Sequence, residues 1–385
     1  MIDPPLQSPL PHPMSSSVLA DLHSLLLYLS TNQPMVIGQK LVFPRGTVMP
    51  DGRLDLCKQQ LGVTGCKLVT TALARNQTIS SLLLGTNNIG DPGAAAVAQL
   101  IQSNNCLETI YLGCNAISAT GTKAIADALT SNSTINSLWL KRNPIGVEGA
   151  CALAEMLRHN RSIHTLDLVN THLGAGLATL LEVLTYTNRT VKRLYLGGNQ
   201  LDANHAPLLA TLLRHNSSLT ALSLSVNHLG DSGLERLSQG LQQNCTLVEL
   251  GLASNGISEV GCHSLLAALQ MHPALRRLDL GYSPSTRALA TQANGIGDEG
   301  AEAIAKFLAQ NPAIMWLDLR HNAIGDAGRT ALRLALANNS TVQALLLDGK
   351  CDPQLELLLQ RNRMLNRDDK SQIPQEIALI QSIYR

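Results

Sequence analysis

Residues 79–106 read Ile-Ser-Ser-Leu-Leu-Leu-Gly-Thr-Asn-Asn-Ile-Gly-Asp-Pro-Gly-Ala-Ala-Ala-Val-Ala-Gln-Leu-Ile-Gln-Ser-Asn-Asn-Cys. In the first half Leu82 and Leu84 stand two apart, framed by Ile79 and Ile89. That alternation is the mark of a strand with one buried face. The second half is Ala-rich and reads as a helix that buries Val97. The window returns along the chain, with first strand positions at Asp51, Ile79, Leu107, Ile135, Ile163, Val191, Leu219, Leu247, Leu275, Ile314 and Val342. Every step is 28 residues except Leu275 to Ile314, which is 39 and therefore carries 11 extra residues. Eleven copies of one strand–turn–helix unit mean a solenoid, which grows by adding units rather than domains.

Each position in the unit has a physical task. The paired leucines face the core, and Asn87, Asn115, Asn143, Asn199, Asn227, Asn255, Asn294 and Asn322 follow where the chain turns. Their amides can bond backbone groups of neighbouring coils and so satisfy buried loop atoms. Gln59 and Thr171 depart from that pattern. Gly-Asp-x-Gly comes next, clearest at 230–233, 297–300 and 325–328, and its Asp is expected to be the helix N-cap. A second Asn closes most helices (Asn76, Asn104, Asn132, Asn160, Asn188, Asn216, Asn244, Asn311, Asn339) and is expected in the left-handed cap conformation. Asn76, Asn132, Asn160, Asn188, Asn216 and Asn244 fall in Asn-x-Ser/Thr sequons, but in phase with the repeat, so turn chemistry accounts for them better than glycosylation.

Strands stack about 4.8 Å apart and helices about 8–10 Å apart, so a coil with both must curve. The expected fold is α/β: a horseshoe with a parallel sheet on its concave face and helices on its convex face. Burying some six Leu-sized side chains per unit contributes roughly 10 kcal/mol of gross stabilisation, most of it offset by chain ordering.

The unit at 138–150, Leu-Trp-Leu-Lys-Arg-Asn-Pro-Ile-Gly-Val-Glu-Gly-Ala, resembles the ribonuclease-inhibitor-like class of leucine-rich repeats over about 80% of the chain. That class includes ribonuclease inhibitor, the repeat domains of immune receptors and the Ran GTPase-activating proteins. The resemblance implies the fold. Its motif is structural and assigns no function.

The flanks differ from the repeats. Residues 1–14 are Pro-rich and are expected to be a disordered lead. Residues 15–50 are expected to cap the open N-terminal end, beginning with a helix that carries Val18, Leu19, Leu22, Leu25, Leu26 and Leu29. The repeats span 51–350. Beyond them Lys350 replaces the ladder Asn, and Leu355, Leu357, Leu358, Leu359 and Leu365 read as a capping helix within 351–385. The end, Ile377-Ala378-Leu379-Ile380-Gln381-Ser382-Ile383-Tyr384, is amphipathic and is expected to fold back on the last repeat or to serve as a partner-binding tail.

Composition narrows function. A net charge of +1 favours neither nucleic acid nor an anionic membrane. No apolar run approaches the roughly 20 residues of a membrane helix. The first residues lack a secretory signal, so a cytoplasmic location and a monomer are expected. Cys66 and Cys262 occupy a position usually held by Ala, which reads as small buried thiols in a reducing compartment. No Cys-x-x-Cys, His-x-x-x-His, catalytic triad or Walker-type loop occurs, so no enzyme activity, metal or cofactor is expected.

What remains are the residues beside the strand leucines, which should project into the groove. Tyr111 and Trp139 fall in adjacent strands in one register, about 5 Å apart, with Lys141, Arg142, Asp167, Arg193 and Tyr195 around them. A second cluster holds Asp279, Trp316, Asp318 and Arg320. The insertion lies within residues 281–293, where Tyr282 and Arg287 should stand on the rim at the C-terminal ends of the strands. Aromatics with Arg and carboxylates have the composition of protein-binding hot spots. The expectation is therefore a non-enzymatic interaction scaffold that takes a protein partner on the concave face. Two alternatives stand beside it: a regulator of a small GTPase, through Arg142 or Arg287, and a host-directed bacterial effector.

Overall fold

The computed structural model describes residues 16–33, 38–349, 352–366 and 375–384. The lead at 1–14, Lys350, and the charged start of the tail lie outside the described residues. Two compact units result: residues 1–191 with 373–385, and residues 192–372.

The first unit opens with helix α1 (Ser16–Thr31), which buries Leu22, Leu25 and Leu29. An antiparallel hairpin follows, β1 (Leu41–Val42) and β2 (Thr47–Val48). It joins β3 (Arg53–Asp55) antiparallel, with Thr47 opposite Asp55. Five repeats then alternate β3 with α2 (Gly62–Leu73), β4 (Ser81–Leu83) with α3 (Gly90–Ser103), β5 (Thr109–Tyr111) with α4 (Ala119–Leu129), β6 (Ser137–Trp139) with α5 (Gly146–His159), and β7 (Thr165–Asp167) with α6 (Gly176–Tyr186). The strands pair parallel, with Leu54, Leu82, Ile110, Leu138 and Leu166 aligned across the sheet.

The second unit repeats the scheme. Its strands and helices are β8 (Arg193–Tyr195) and α7 (Ala206–His215), β9 (Ala221–Ser223) and α8 (Gly230–Leu241), β10 (Glu249–Gly251) and α9 (Glu259–Leu269), β11 (Arg277–Asp279) and α10 (Gly297–Gln310), β12 (Trp316–Asp318) and α11 (Asp326–Asn338), β13 (Ala344–Leu346) and α12 (Pro353–Leu365). Leu194, Leu222, Leu250, Leu278, Leu317 and Leu345 are in register. The extra residues therefore leave the sheet undisturbed between β11 and β12. They form an ordered turn in which Thr286 is buried and its hydroxyl donates to Ser254 Oγ at 2.7 Å.

The asparagine ladder runs as expected. Asn115 Nδ2 donates to Leu84 O and Leu112 O, both at 2.9 Å, while Asn87 N donates to Asn115 Oδ1. The ladder crosses the insertion, since Asn255 N donates to Asn294 Oδ1 at 2.9 Å. Thr171 has no side-chain amide, and its hydroxyl donates to Leu168 O at 2.7 Å.

Two local expectations are corrected. The helix-closing Asn is extended rather than left-handed: Asn104 has φ −111° and ψ 131°, and Asn160, Asn216, Asn311 and Asn339 are alike. These side chains build a second ladder. Asn104 Nδ2 donates to Leu73 O and Asn76 O, and its Oδ1 accepts from Cys106 N and Leu107 N. Extended backbone places the amide between two coils, which a left-handed residue could not do. Buried in this way, the sequon residues Asn76, Asn160, Asn188, Asn216 and Asn244 offer no accessible amide for a glycan.

The Gly-Asp-x-Gly aspartate does not cap its own helix. Asp91 lies in the first turn of α3 and caps the following helix, α4, accepting from Ser118 N at 2.7 Å and Gly121 N at 3.1 Å. Asp231 does the same for Ser258 and Gly261, and Asp298 for Gly325 and Gly328. A carboxylate meets the positive end of the next helix, so each aspartate ties two repeats together. A Cβ on Gly121, Gly261 or Gly328 would strike that carboxylate, whereas one on Gly233 or Gly300 would strike Leu229 or Ile296 of its own repeat.

The tail is the largest departure. Residues 373–385 belong to the first unit, and α13 (Gln375–Ala378) with the following residues packs on β3, not on the last repeat. The last repeat is covered by α12 instead. Asp352 caps that helix through Gln354 N, and the buried Asn362 donates to Asn339 O and Val342 O. Leu359 is buried there, while Leu357 and Leu365 are exposed.

Candidate functional site

In the second unit the sheet face is open. Three small residues of β9 and β10, Ala221, Ser223 and Gly251, lie between longer neighbours on β8, β11 and β12. They leave a hollow of about 160 Å³ bounded by Tyr195, Glu249, Arg277, Asp279 and Trp316. Arg193 lies opposite Ala221, which lies opposite Glu249. Because Ala221 is short, Arg193 Nη2 reaches over it to Glu249 Oε2 at 2.6 Å, and its Nε donates to Tyr195 Oη at 3.1 Å. Burial works against the Arg193 charge, but Tyr195 and Glu249 outweigh it and hold the guanidinium firmly protonated. On the far wall the Arg277 guanidinium sits 4.4 Å from the centroid of the Trp316 ring, a cation–π contact.

Carboxylates edge this hollow. Asp279 Oδ1 accepts from Gly281 N at 2.9 Å. Burial pushes the Asp279 carboxyl above its usual range; the charge of Asp318 adds to this, against the pull of Gly281 N–H, Arg320 and Arg277. Asp318 is held by Arg320, whose Nε and Nη2 both reach its oxygens. Arg193, Tyr195, Asp279, Trp316, Asp318 and Arg320 thus fall on one face of one unit.

The insertion shapes a second, more open hollow of about 690 Å³ on the rim of the same unit. Tyr282, Pro284 and Arg287 line one side, His321 and Asp348 the other. The Tyr282 and His321 rings lie 4.6 Å apart, and Asp348 accepts from the His321 backbone N–H at 2.6 Å.

The first-unit patch is different in kind. Trp139, expected to project into the groove, is only 4% exposed. Asp167 beside it is buried, accepts from Val169 N at 2.9 Å, and has its carboxyl pushed up to about 6 by burial, against the pull of that bond and of Lys141. Tyr111 lies against Gly85 and Gly113, where a Cβ would strike its ring, and Lys141 Nζ stands 5.4 Å from its centroid. Burial raises the Tyr111 phenol, with the Cys57, Cys114 and Asp167 charges adding to it. Arg142 is exposed at φ 56°.

Sequence reasoning missed Glu249, Arg277, His321 and Asp348. Glu249 and Arg277 flank strand leucines like the residues that were singled out. The signal was the run of small neighbours, Ala221, Ser223 and Gly251, which opens space only if someone asks what stands on either side. Nothing in the repeat marks His321 and Asp348, because the insertion brings them into a hollow. Cys66 and Cys262 are fully buried, and burial pushes both thiols up to about 12. Among the described residues no group of three or more His, Cys, Asp or Glu could hold a metal ion, and no helix is long and apolar enough to cross a membrane.

The strand–turn–helix unit with its asparagine ladder is a leucine-rich repeat, and the fold is the solenoid such repeats build. The family model described as Leucine Rich repeat matches residues 75–98, 103–126, 215–238, 292–305 and 311–332. No curated protein matches the chain in sequence. Among solved structures, leiomodin-1 actin-binding site 2 is similar at 16% identity, covering 52% of this chain and 95% of that one, with a TM-score of 0.32. The tropomodulin C-terminal domain of Caenorhabditis elegans shares 12% identity over 49% of this chain and 96% of its own, with a TM-score of 0.31. An internalin from Listeria monocytogenes shares 17% identity over 87% of this chain and 96% of its own, with a TM-score of 0.43.

Proposed function

We propose that this chain is a non-enzymatic, cytoplasmic interaction scaffold of the ribonuclease-inhibitor-like class, which holds a protein partner on the sheet face of its second unit. The observation that carries this reading is the hollow floored by Ala221, Ser223 and Gly251 between Tyr195 and the Arg277–Trp316 pair. Its volume is close to the roughly 150 Å³ that accommodates one benzene-sized group. It therefore suits a single apolar or aromatic anchor from a partner. Tyr195, Trp316 and the arginines are residue types that dominate interface energetics, and an ion pair, a hydrogen bond and a cation–π contact already hold them in place at little entropic cost on binding. Asp279, Asp318 and Arg320 would form the polar margin, and Tyr282 and Arg287 would extend contact to the rim.

The test is to fill the hollow. Ser223→Leu places a branched side chain in it, and Trp316→Ala removes a wall. Partners captured by the wild-type protein and identified by mass spectrometry should be lost with both variants while the melting temperature holds. Retention of every partner by both folded variants removes this assignment.

A further inference from the structure

The first unit shows what an arginine and an aspartate on one strand of this sheet can hold. On β3, Arg53 and Asp55 flank Leu54 and together grip the chain's own tail through its backbone. Arg53 Nη1 donates to Ala378 O at 3.1 Å and to Gln381 O at 2.6 Å. Asp55 Oδ2 accepts from Ile383 N at 2.7 Å, and Oδ1 accepts from Ser382 Oγ at 3.1 Å. Tyr384 Oη is 2.7 Å from Thr47 Oγ1 on the preceding strand. The tail is thus recognised as a helical turn that runs into an irregular stretch: two carbonyls three residues apart, then a hydroxyl, then one N–H.

The same tripeptide, in the same register, recurs once more among the described strands, as Arg277-Leu278-Asp279 on β11. The two strands share two features, although β3 follows an antiparallel strand and β11 a parallel one. Each aspartate uses Oδ1 to accept the N–H two residues on, Cys57 in one case and Gly281 in the other. Each arginine is held by a neighbour, Asp51 at 3.2 Å or the Trp316 ring at 4.4 Å. In the first unit the tail lies over Asp55 toward the strand before it, where Thr47 is the partner residue. In the second unit the residue opposite Asp279 on the strand before is Gly251, and the space above it is the hollow.

We propose that Arg277 and Asp279 form a second backbone-capture site, and that the hollow takes an apolar peptide segment of a partner shaped like Ile377–Tyr384, a helical turn followed by an irregular stretch. Arg277 donates to two of its carbonyls, Asp279 accepts one of its N–H groups, and an apolar side chain enters above Gly251. This rests on the interaction reading above and specifies the ligand for the same face.

The experiment titrates a fluorescent peptide of residues 375–385 into the full-length protein and follows anisotropy. Saturable binding is expected, weakened at least about tenfold by Arg277→Gln and by Asp279→Asn. Asparagine keeps an oxygen for Gly281 N–H, so Asp279→Asn leaves the strand end intact. A peptide methylated on the Ile383 nitrogen should bind wild type about tenfold more weakly and lose nothing further on Asp279→Asn, because the bond it lacks is the one that substitution removes. No saturable binding to wild type, equal binding by both substituted proteins, or equal binding of the methylated peptide overturns the proposal. If partners are still lost with Ser223→Leu while the peptide fails, backbone capture falls and the interaction reading stands.

Discussion

The two units carry the same repeat, yet their sheet faces are covered to different degrees. In the first unit Arg53, Asp55, Ser81, Leu83, Thr109, Ser137, Trp139, Thr165 and Asp167 are all buried. In the second, Arg193, Ala221 and Asp318 are buried too, but Glu249, Gly251, Arg277, Asp279 and Trp316 are half-exposed around a hollow. Strand alternation decides which way a side chain points. It does not decide whether water reaches it. Two tryptophans that each flank a strand leucine, Trp139 after Leu138 and Trp316 before Leu317, can therefore differ in role: one packs, the other is presented.

The sharpest way to break this comparison is to truncate the two tryptophans. Trp139→Ala should destabilise the protein by about 3–5 kcal/mol, the range for emptying a buried aromatic site. Trp316→Ala should cost about 1 kcal/mol or less, since its partly exposed ring gains mainly from Arg277. Thermal melting of the two variants checks this, and equal losses would erase the distinction between the faces.

The scaffold beneath should not share the difference. Asn143 accepts from Asn115 N and Ile117 N and donates to Leu112 O and Leu140 O. Asn255 donates likewise to Leu224 O and Leu252 O in the second unit. Alanine at either site strands buried backbone groups and should cost about 3 kcal/mol. Hydrogen exchange in each unit should report similar losses; a large asymmetry would mean that the units differ in their frames as well as their faces.

Burial of the first face also has a pH consequence. The Asp167 carboxyl is pushed from 3.8 to about 6 by burial. A raised carboxylate binds its proton more tightly folded than unfolded. Its stabilising effect is therefore complete below pH 3.8 and is lost as pH rises through about 6, a change of about 3 kcal/mol at most. Asp167→Asn keeps an acceptor for Val169 N–H and removes the titration. Melting temperatures from pH 4.5 to 7.5 should show the variant gaining on wild type as pH rises. A constant difference would mean that Asp167 is not the group responsible.

The smallest expected effect concerns the tail. Tyr384→Phe deletes one hydrogen bond, to Thr47, and should cost about 1 kcal/mol locally. Faster amide exchange at Ile383 with an unchanged global melt would place the tail as a separately opening element.

How much could be read beforehand varies with the range of the contacts involved. The strand leucines, the turn asparagines and the single 39-residue step were legible because one repeat sets them and its neighbours copy them. The Asp of Gly-Asp-x-Gly was identified as a cap, but the helix it serves lies in the next repeat. The closing Asn was misassigned for a related reason, since its amide answers to the adjacent coil rather than to its own backbone angle. Of the candidate site, Trp316, Asp279 and Arg320 could be named from register alone. Glu249 and Arg277 required knowing that Ala221 and Gly251 leave room beside them.

The chain by itself determined the repeat, its register and the residues able to reach the sheet face, because these follow from contacts within 28 residues and their repetition. Tertiary structure decided which of those residues are covered and which are open. The contacts between Asp55 and the tail join residues 327 and 328 positions apart. No local pattern specifies such a pairing, since it exists only once the folded sheet presents an arginine and a carboxylate that a returning backbone can satisfy.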